Sequence, residues 1–125
     1  MNNRTITGEP LDWAKCAAVA ALSKKASDVV IIKVKPALVI VDYFIVATAS
    51  NPLQFRAVAE AVEDTLREEY GLKPIGREGL DSTYWVLLDY GDIVVHLFTP
   101  IPRDFYRLES LYNDAEMIYC AEDSY

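Results

Sequence analysis

A chain of 125 residues that is 52% hydrophobic and 25% charged is long enough for one domain with a real core, and too apolar for disorder. Its net charge of −7 disfavours a protein whose affinity comes mainly from neutralising phosphates, so we expect little or no direct nucleic acid contact. The same charge is compatible with a basic protein as partner, because complementary electrostatic potentials speed the association of two proteins.

The pattern of residues 1–48 predicts one helix followed by two strands. Residues 1–10 form a loose leader that lacks the apolar core of a signal peptide. Asp12 is placed to cap a helix over 13–26, in which small alanines recur at helical spacing and would let the helix lie close on a sheet. The β-branched run 28–34 predicts a buried strand, and a second strand has its core at 43–48.

A second helix has clear signals at both ends. Asn51 can cap it, Pro52 fits the first helical position, and Gly71 ends it. One side of the helix is apolar at spacings of three and four, while the other side is charged and most simply solvated. A short strand at 73–77 follows.

Residues 84–98, YWVLLDYGDIVVHLF, predict a β-hairpin with Gly91 supplying the positive φ of its turn. A surface hairpin should alternate apolar and polar residues, but this one is apolar on both faces. Its register stays open, since a slip of one residue decides whether Trp85 shares a face with His96 or with Val95. The sequence therefore leaves open which surface covers the second apolar face of the hairpin.

Two prolines close the hairpin, residues 103–112 predict a third helix, and the acidic end at 121–125 is expected to be mobile. The longest uncharged run, residues 43–55, is too short to cross a bilayer, so we expect a soluble, cytoplasmic protein without membrane contact. The order of elements predicts a single α/β domain over residues 1–125, with a mixed sheet of about five strands and helices on its faces.

Side chains that could carry chemistry have simpler structural interpretations. The two cysteines, Cys16 and Cys120, fit neither a metal-ligand pattern nor a disulfide framework, and both are read as free, buried thiols. His96 is the only histidine and has no nucleophile or orienting carboxylate in the pattern, which favours a packed, hydrogen-bonded or contact-surface histidine over a catalytic one. Asp89 and Asp92 could hold a divalent metal, but aspartate is a common turn residue.

Aromatic and arginine side chains cluster in the last third of the chain. Tryptophan, tyrosine and arginine dominate the energetically important positions of protein interfaces, so the cluster could be a contact surface as well as core. Trp85 and Tyr90 fit the two interpretations about equally. Core positions are favoured for Leu87, Val94 and Val95.

Several segments resemble the Iojap-like family of ribosomal silencing factors. They are Asp42–Thr48 (DYFIVAT), Glu78–Gly79, Trp85–Phe98, and the trailing Arg103, Phe105–Tyr106, Leu108–Glu109 and Leu111. Ser50, Gln54 and Ala57 fit the family pattern more loosely. Ala49 stands where the family usually has glycine, and Tyr112 where it often has tryptophan.

The resemblance implies a nucleotidyltransferase-like fold and a binding function without catalysis, cofactor or metal. Family members attach to the large ribosomal subunit through its ribosomal protein number fourteen, sterically block joining of the small subunit, and repress translation when nutrients are scarce. A homodimer through the same hairpin face is a further expectation. The residues expected to contact the ribosomal protein are Trp85, Leu88, Asp89, Tyr90, Asp92, His96, Arg103 and Tyr106.

The alternative is a divergent nucleotidyltransferase-like enzyme or nucleotide-binding domain. Such an enzyme would need a Gly-Ser turn and an Asp-x-Asp pair on a strand for its metals. This chain has Ala49-Ser50 at the corresponding place and no Asp-x-Asp. Because a fold alone does not carry an activity, the silencing function is preferred.

Overall fold

The computed structural model describes residues 6–33, 41–79 and 85–99 with their side chains, and the backbone of 116–121. These residues form two helices and six strands. The elements are α1 (Pro10–Ser23), β1 (Ser27–Lys33), β2 (Tyr43–Thr48), α2 (Pro52–Tyr70), β3 (Gly76–Glu78), β4 (Trp85–Asp89), β5 (Ile93–Phe98) and β6 (Glu116–Ala121). Neither described helix is long and apolar enough to cross a membrane.

The strands form one sheet in the order β3-β4-β5-β2-β1-β6. Among the described strands only β2 and β5 pair in parallel, and the other neighbours are antiparallel. This confirms the predicted mixed α/β sheet. It has one strand more than expected. The additional strand, β6, pairs with β1 at the edge of the sheet, and no local pattern in the sequence predicted it.

Helix α1 begins earlier than the sequence predicted. Glu9 is its N-cap, and the carboxylate of Asp12 accepts a hydrogen bond from the Glu9 backbone N–H at 2.9 Å. Asp12 is therefore the third helical residue of a reciprocal capping box, not the cap itself. The helix ends at Ser23 instead of residue 26, because Lys25 takes a left-handed conformation with φ 68°.

Helix α2 has the ends that were predicted. The Asn51 side chain accepts a hydrogen bond from the backbone N–H of Gln54 at 2.9 Å, and Gly71 ends the helix in the left-handed conformation. The Gln54 amide also donates to the backbone carbonyls of Lys24 at 3.1 Å and Lys25 at 2.8 Å. It thereby ties the start of α2 to the end of α1 and satisfies carbonyls that a helix end leaves without partners.

Both described helices pack on the same face of the sheet, where they form the larger core. Alternate strand residues point into it, and many of them are fully buried, as Ile31, Ile45, Leu88 and Val95 show. The alanines of α1 allow the close approach that their spacing predicted. The predicted third helix, 103–112, lies outside the described residues. Of the acidic end predicted to be mobile, 121–125, the first residue, Ala121, is the last residue of β6, and 122–125 lie outside the described residues.

The second face of the sheet carries a separate apolar cluster. Its members are at most 8% exposed, and no residue of the two described helices belongs to it. They are Val30, Ile32, Phe44, Val46, Val94 and Phe98, with Trp85 and Leu87 packed beside them. The hairpin is apolar on both faces because each face belongs to a different core.

Candidate protein-binding surface

The hairpin register, which the sequence left open, is settled by the pairing of β4 with β5. Trp85 lies opposite Phe98, and Leu87 lies opposite His96. Cross-strand partners share a face, as do alternate residues of one strand. Trp85 therefore shares the second face with His96, while Val95 points toward the helices.

Two residues that the resemblance placed at the contact belong to the helix-covered core. Leu88 is fully buried and Tyr90 is only 5% exposed, both in the cluster that includes α1 and α2. In this fold neither side chain presents surface to a partner, so their expected role at the contact stays a prediction that the burial does not favour. Leu87, expected in the core, is instead half-buried on the second face, whereas Val94 and Val95 are buried as expected.

The hydroxyl of Tyr90 is buried and has no hydrogen-bond partner among the described residues. Burial, with a smaller contribution from the Glu63 carboxylate, raises the pKa of Tyr90 above its ordinary value. Glu63 is itself engaged, since the Arg77 guanidinium donates to both of its oxygens at 2.9 and 3.1 Å. The phenol thus contributes its ring to packing, while its polar atom gains nothing in the folded chain.

Replacing Tyr90 by phenylalanine is therefore expected to leave the stability unchanged or to raise it by up to about 1 kcal/mol, because an unsatisfied buried hydroxyl is removed. Tyr90→Ala is the matched control and should cost about 3–5 kcal/mol by opening a cavity. Urea denaturation followed by tryptophan fluorescence measures both. A loss of more than 1 kcal/mol in Tyr90→Phe would show that the hydroxyl has a partner after all.

The turn between β4 and β5 is held by one of its aspartates. The Asp89 carboxylate accepts a hydrogen bond from the Gly91 N–H at 2.8 Å, and Gly91 has the positive φ that was predicted. Asp92 is exposed, and its backbone carbonyl accepts from the Asp42 N–H at 2.8 Å. The described residues contain no group of three or more potential ligands that could hold a metal. Asp89 shapes the turn, and Asp92 presents its charge to solvent.

His96 is packed between aromatic rings on the second face. Its ring lies edge-to-face with Phe44 at 5.1 Å and parallel to Phe98 at 6.2 Å. The side chain is only 9% exposed, neither ring nitrogen has a hydrogen-bond partner in the described structure, and burial lowers its pKa to about 4. Of the roles that the sequence favoured for His96, packing is confirmed, whereas the described residues give it no hydrogen bond, and the buried ring presents little surface for the expected contact.

The remaining candidates differ in how much surface they present. Trp85 is half-buried at the start of β4, about 13 Å along the strand from Asp89. Arg103 and Tyr106 lie outside the described residues. Trp85 and Asp92, with part of Asp89, are thus the predicted contact residues that the described surface makes available.

The free thiol predicted at Cys16 is confirmed. It is half-buried instead of fully buried, and burial together with the Glu69 carboxylate raises its pKa to about 11. The thiol is therefore protonated at neutral pH and is a poor nucleophile. Cys120 lies on β6, of which only the backbone is described.

Comparison with known proteins identifies the family. Residues 7–124 match the family described as ribosomal silencing factor during starvation. Ribosomal silencing factor RsfS of Bacillus subtilis is 35% identical over 103 residues, which are 82% of this chain and 86% of that protein. The chloroplastic protein Iojap of Arabidopsis thaliana is 36% identical over 110 residues; they are 88% of this chain but only 45% of that protein.

Solved structures agree with the family match. A crystal structure of a protein from Chromobacterium violaceum superposes with a TM-score of 0.79 at 34% identity, covering 85% of this chain and 88% of that one. These matches place the chain in a family of regulators, not of enzymes. The chain belongs to the ribosomal silencing factor family, as its hairpin motif indicated. The nucleotidyltransferase-like relationship of the fold stays a prediction.

Proposed function

We propose that this protein binds the large ribosomal subunit through its ribosomal protein number fourteen and prevents the small subunit from joining. The observation that carries the proposal is the match of a ribosomal silencing family to residues 7–124, nearly the whole chain. The resemblance of the hairpin motif to that family supplies the partner and the step that is blocked. Fewer joined ribosomes would repress translation. The family resemblance links this repression to nutrient limitation.

The mechanism is steric and needs no chemical step. A folded domain of this size, bound where the two subunits meet, occupies the space of an intersubunit contact. The net charge of −7 suits a basic ribosomal protein and repels RNA phosphates, so the contact is proposed to be protein to protein. A contact of standard size buries about 800 Å² on each partner, which is enough to include both Trp85 and the hairpin turn.

Trp85 provides the test of the hairpin as the contact. Truncation of a large aromatic side chain at an interface centre typically costs about 2 kcal/mol or more, so Trp85→Ala should weaken large-subunit binding at least about thirtyfold. Trp85→Phe keeps an aromatic ring and should retain most of the affinity. The measurement is sedimentation of purified protein with large subunits in sucrose gradients, with a thermal melt of each variant.

The same preparation tests the silencing step. Wild type should co-migrate with large subunits and reduce their joining with small subunits, followed by light scattering. If folded Trp85→Ala binds large subunits and reduces subunit joining as well as wild type does, Trp85 and the hairpin are not the contact. If wild type stays at the top of the gradient, the proposed function is lost, and nucleotide- and metal-binding assays of the alternative enzyme follow.

Self-association is the second interaction expected of the hairpin face. Docking and dimerising would then compete for one surface, and large subunits should dissociate the dimer. Light scattering during size-exclusion chromatography gives the mass of wild type and of Trp85→Ala. A monomer at all concentrations would remove the dimer from the proposal without affecting subunit binding.

A further inference from the structure

A strongly exposed apolar side chain lies beside the hairpin turn. Ile75, directly before β3, is 75% exposed. Scattered exposed apolar residues are ordinary, and three other large ones occur among the described residues, namely Ile6, Val19 and Leu53. What distinguishes Ile75 is how firmly its backbone is held and which charges surround it.

Ile75 is fixed on the hairpin by its backbone and by its side chain. Its N–H donates to the backbone carbonyl of Asp89 at 2.7 Å. Its Cδ1 atom lies 3.1 Å from the position that a Cβ atom on Gly91 would take, so the isoleucine rests on the bare face of the turn glycine. The backbone at Ile75 is therefore fixed relative to the turn, so little backbone freedom is lost on binding, which favours Ile75 as an anchor.

The surroundings of Ile75 are acidic. Asp42 and Asp92 are exposed and adjacent, since the Asp42 N–H donates to the Asp92 carbonyl at 2.8 Å, and Asp89 is half-buried between strand and turn. The exposed lysines described at this end of the sheet are Lys33, which pairs with Tyr43, and Lys73 in the loop after α2.

Helix α2 adds to the negative potential at the same end. Its C-terminus lies there and carries the exposed Glu69, whereas Glu68 is ion-paired with Arg67 at 3.9 Å. Arg77 does not offset these charges, because its guanidinium is ion-paired with Glu63. Carboxylates are thus in surplus around Ile75.

The opposite end of the molecule has the opposite character. There α1 ends and α2 begins, joined by the Gln54 amide that contacts Lys24 and Lys25. Both lysines are exposed, and Leu53 beside them is 82% exposed. The chain therefore presents one apolar side chain in an acidic setting and another in a basic setting, at opposite ends of the sheet.

We propose that Ile75 is an apolar anchor of the contact with the ribosomal partner, flanked by Asp42 and Asp92, and that it enters an apolar depression ringed by lysine or arginine side chains. This inference rests on the proposed function and adds to it a second anchor at the turn end of the hairpin, since Trp85, paired with Phe98, lies at the other end of β4. The acidic ring favours a basic protein surface over RNA, whose phosphates it would repel. The contact then runs from Trp85 along the hairpin to its turn.

The test compares Ile75→Ser with Leu53→Ser. Both side chains are exposed, so neither substitution should disturb folding, and thermal melts check this. Ile75→Ser is expected to weaken binding of purified large subunits at least about tenfold, whereas Leu53→Ser should bind as wild type. Asp92→Lys should slow association, most strongly at low salt, because attraction between exposed charges is screened as salt rises.

The outcomes separate this inference from the proposed function. If wild type does not bind large subunits, the proposed function itself has failed and Ile75 has no partner of this kind. If wild type binds and Ile75→Ser binds equally well, the anchor is overturned while subunit binding stands. If Leu53→Ser alone loses affinity, the basic end docks and the assignment of the acidic end is wrong.

Discussion

Gly79→Ala is expected to lower the free energy of unfolding by about 2–5 kcal/mol. A left-handed backbone costs an L-residue about 1–2 kcal/mol, and forcing extra atoms into a packed site costs about 1–3 kcal/mol. Both apply here, because Gly79 has φ 78° and an added Cβ would overlap the backbone carbonyl of Trp85 and lie 3.2 Å from its indole. Urea denaturation of wild type and variant gives the difference.

The control lies three residues away. Gly76 begins the short edge strand β3, which ends one residue before Gly79; its φ is not positive, and an added Cβ meets no atom within 4 Å. Gly76→Ala should therefore be neutral or stabilise by up to about 1 kcal/mol, since alanine restricts the unfolded chain. Equal losses in the two variants would refute the argument from backbone geometry.

The Gly79 site also concerns binding. Because the glycine packs directly on the backbone and ring of Trp85, the alanine variant should displace the proposed contact residue. Its affinity for large subunits should fall even at temperatures where the variant is fully folded. Wild-type affinity in a folded Gly79→Ala would argue that the position of Trp85 is not critical for docking.

The parts of the fold that were predicted correctly are those with local causes. Asn51 and Gly71 end α2 through hydrogen bonds and a backbone conformation that involve only near neighbours. The same holds for Gly91 in the hairpin turn. Such signals are complete within a few residues, so the sequence carries them without knowledge of the sheet.

The parts that were missed depend on pairing over long distances. The sequence of β4 is apolar at consecutive positions, so nothing local distinguishes Leu87, on the second face, from Leu88, in the helix-covered core. Only the register with β5 and its parallel pairing with β2 decide this. The edge strand β6 was missed for the same reason, since its place is set by β1.

In the candidate site, too, the features with local causes could be predicted, whereas those set by long-range pairing could not. The motif located the hairpin, but it could not separate residues that shape it from residues that present surface. Tyr90 and Leu88 shape it from inside, whereas Asp92 is exposed at its turn. Nothing in the sequence indicated that Ile75 is exposed, because an isoleucine within the predicted short strand 73–77 is most simply a core residue.

Acidification is expected to destabilise the protein through His96. Burial between aromatic rings lowers its pKa from 6.5 to about 4. Above pH 6.5 the imidazole is neutral in both the folded and the unfolded chain, so it contributes no pH dependence. Between pH 6.5 and 4 the unfolded chain binds a proton that the folded chain excludes, so stability falls by about 1.4 kcal/mol per pH unit, or about 3 kcal/mol in all.

The variant His96→Phe isolates this effect from the titration of the many carboxylates, which both proteins share. It removes the titrating group and places another ring between Phe44 and Phe98, so at pH 7 it should be at least as stable as wild type. The stability difference between the two proteins, from urea denaturation at pH 7, 6 and 5, should widen as pH falls below 6.5. A difference that stays constant over this range would mean that the imidazole is solvated or hydrogen-bonded in the folded protein, contrary to its position in the second core.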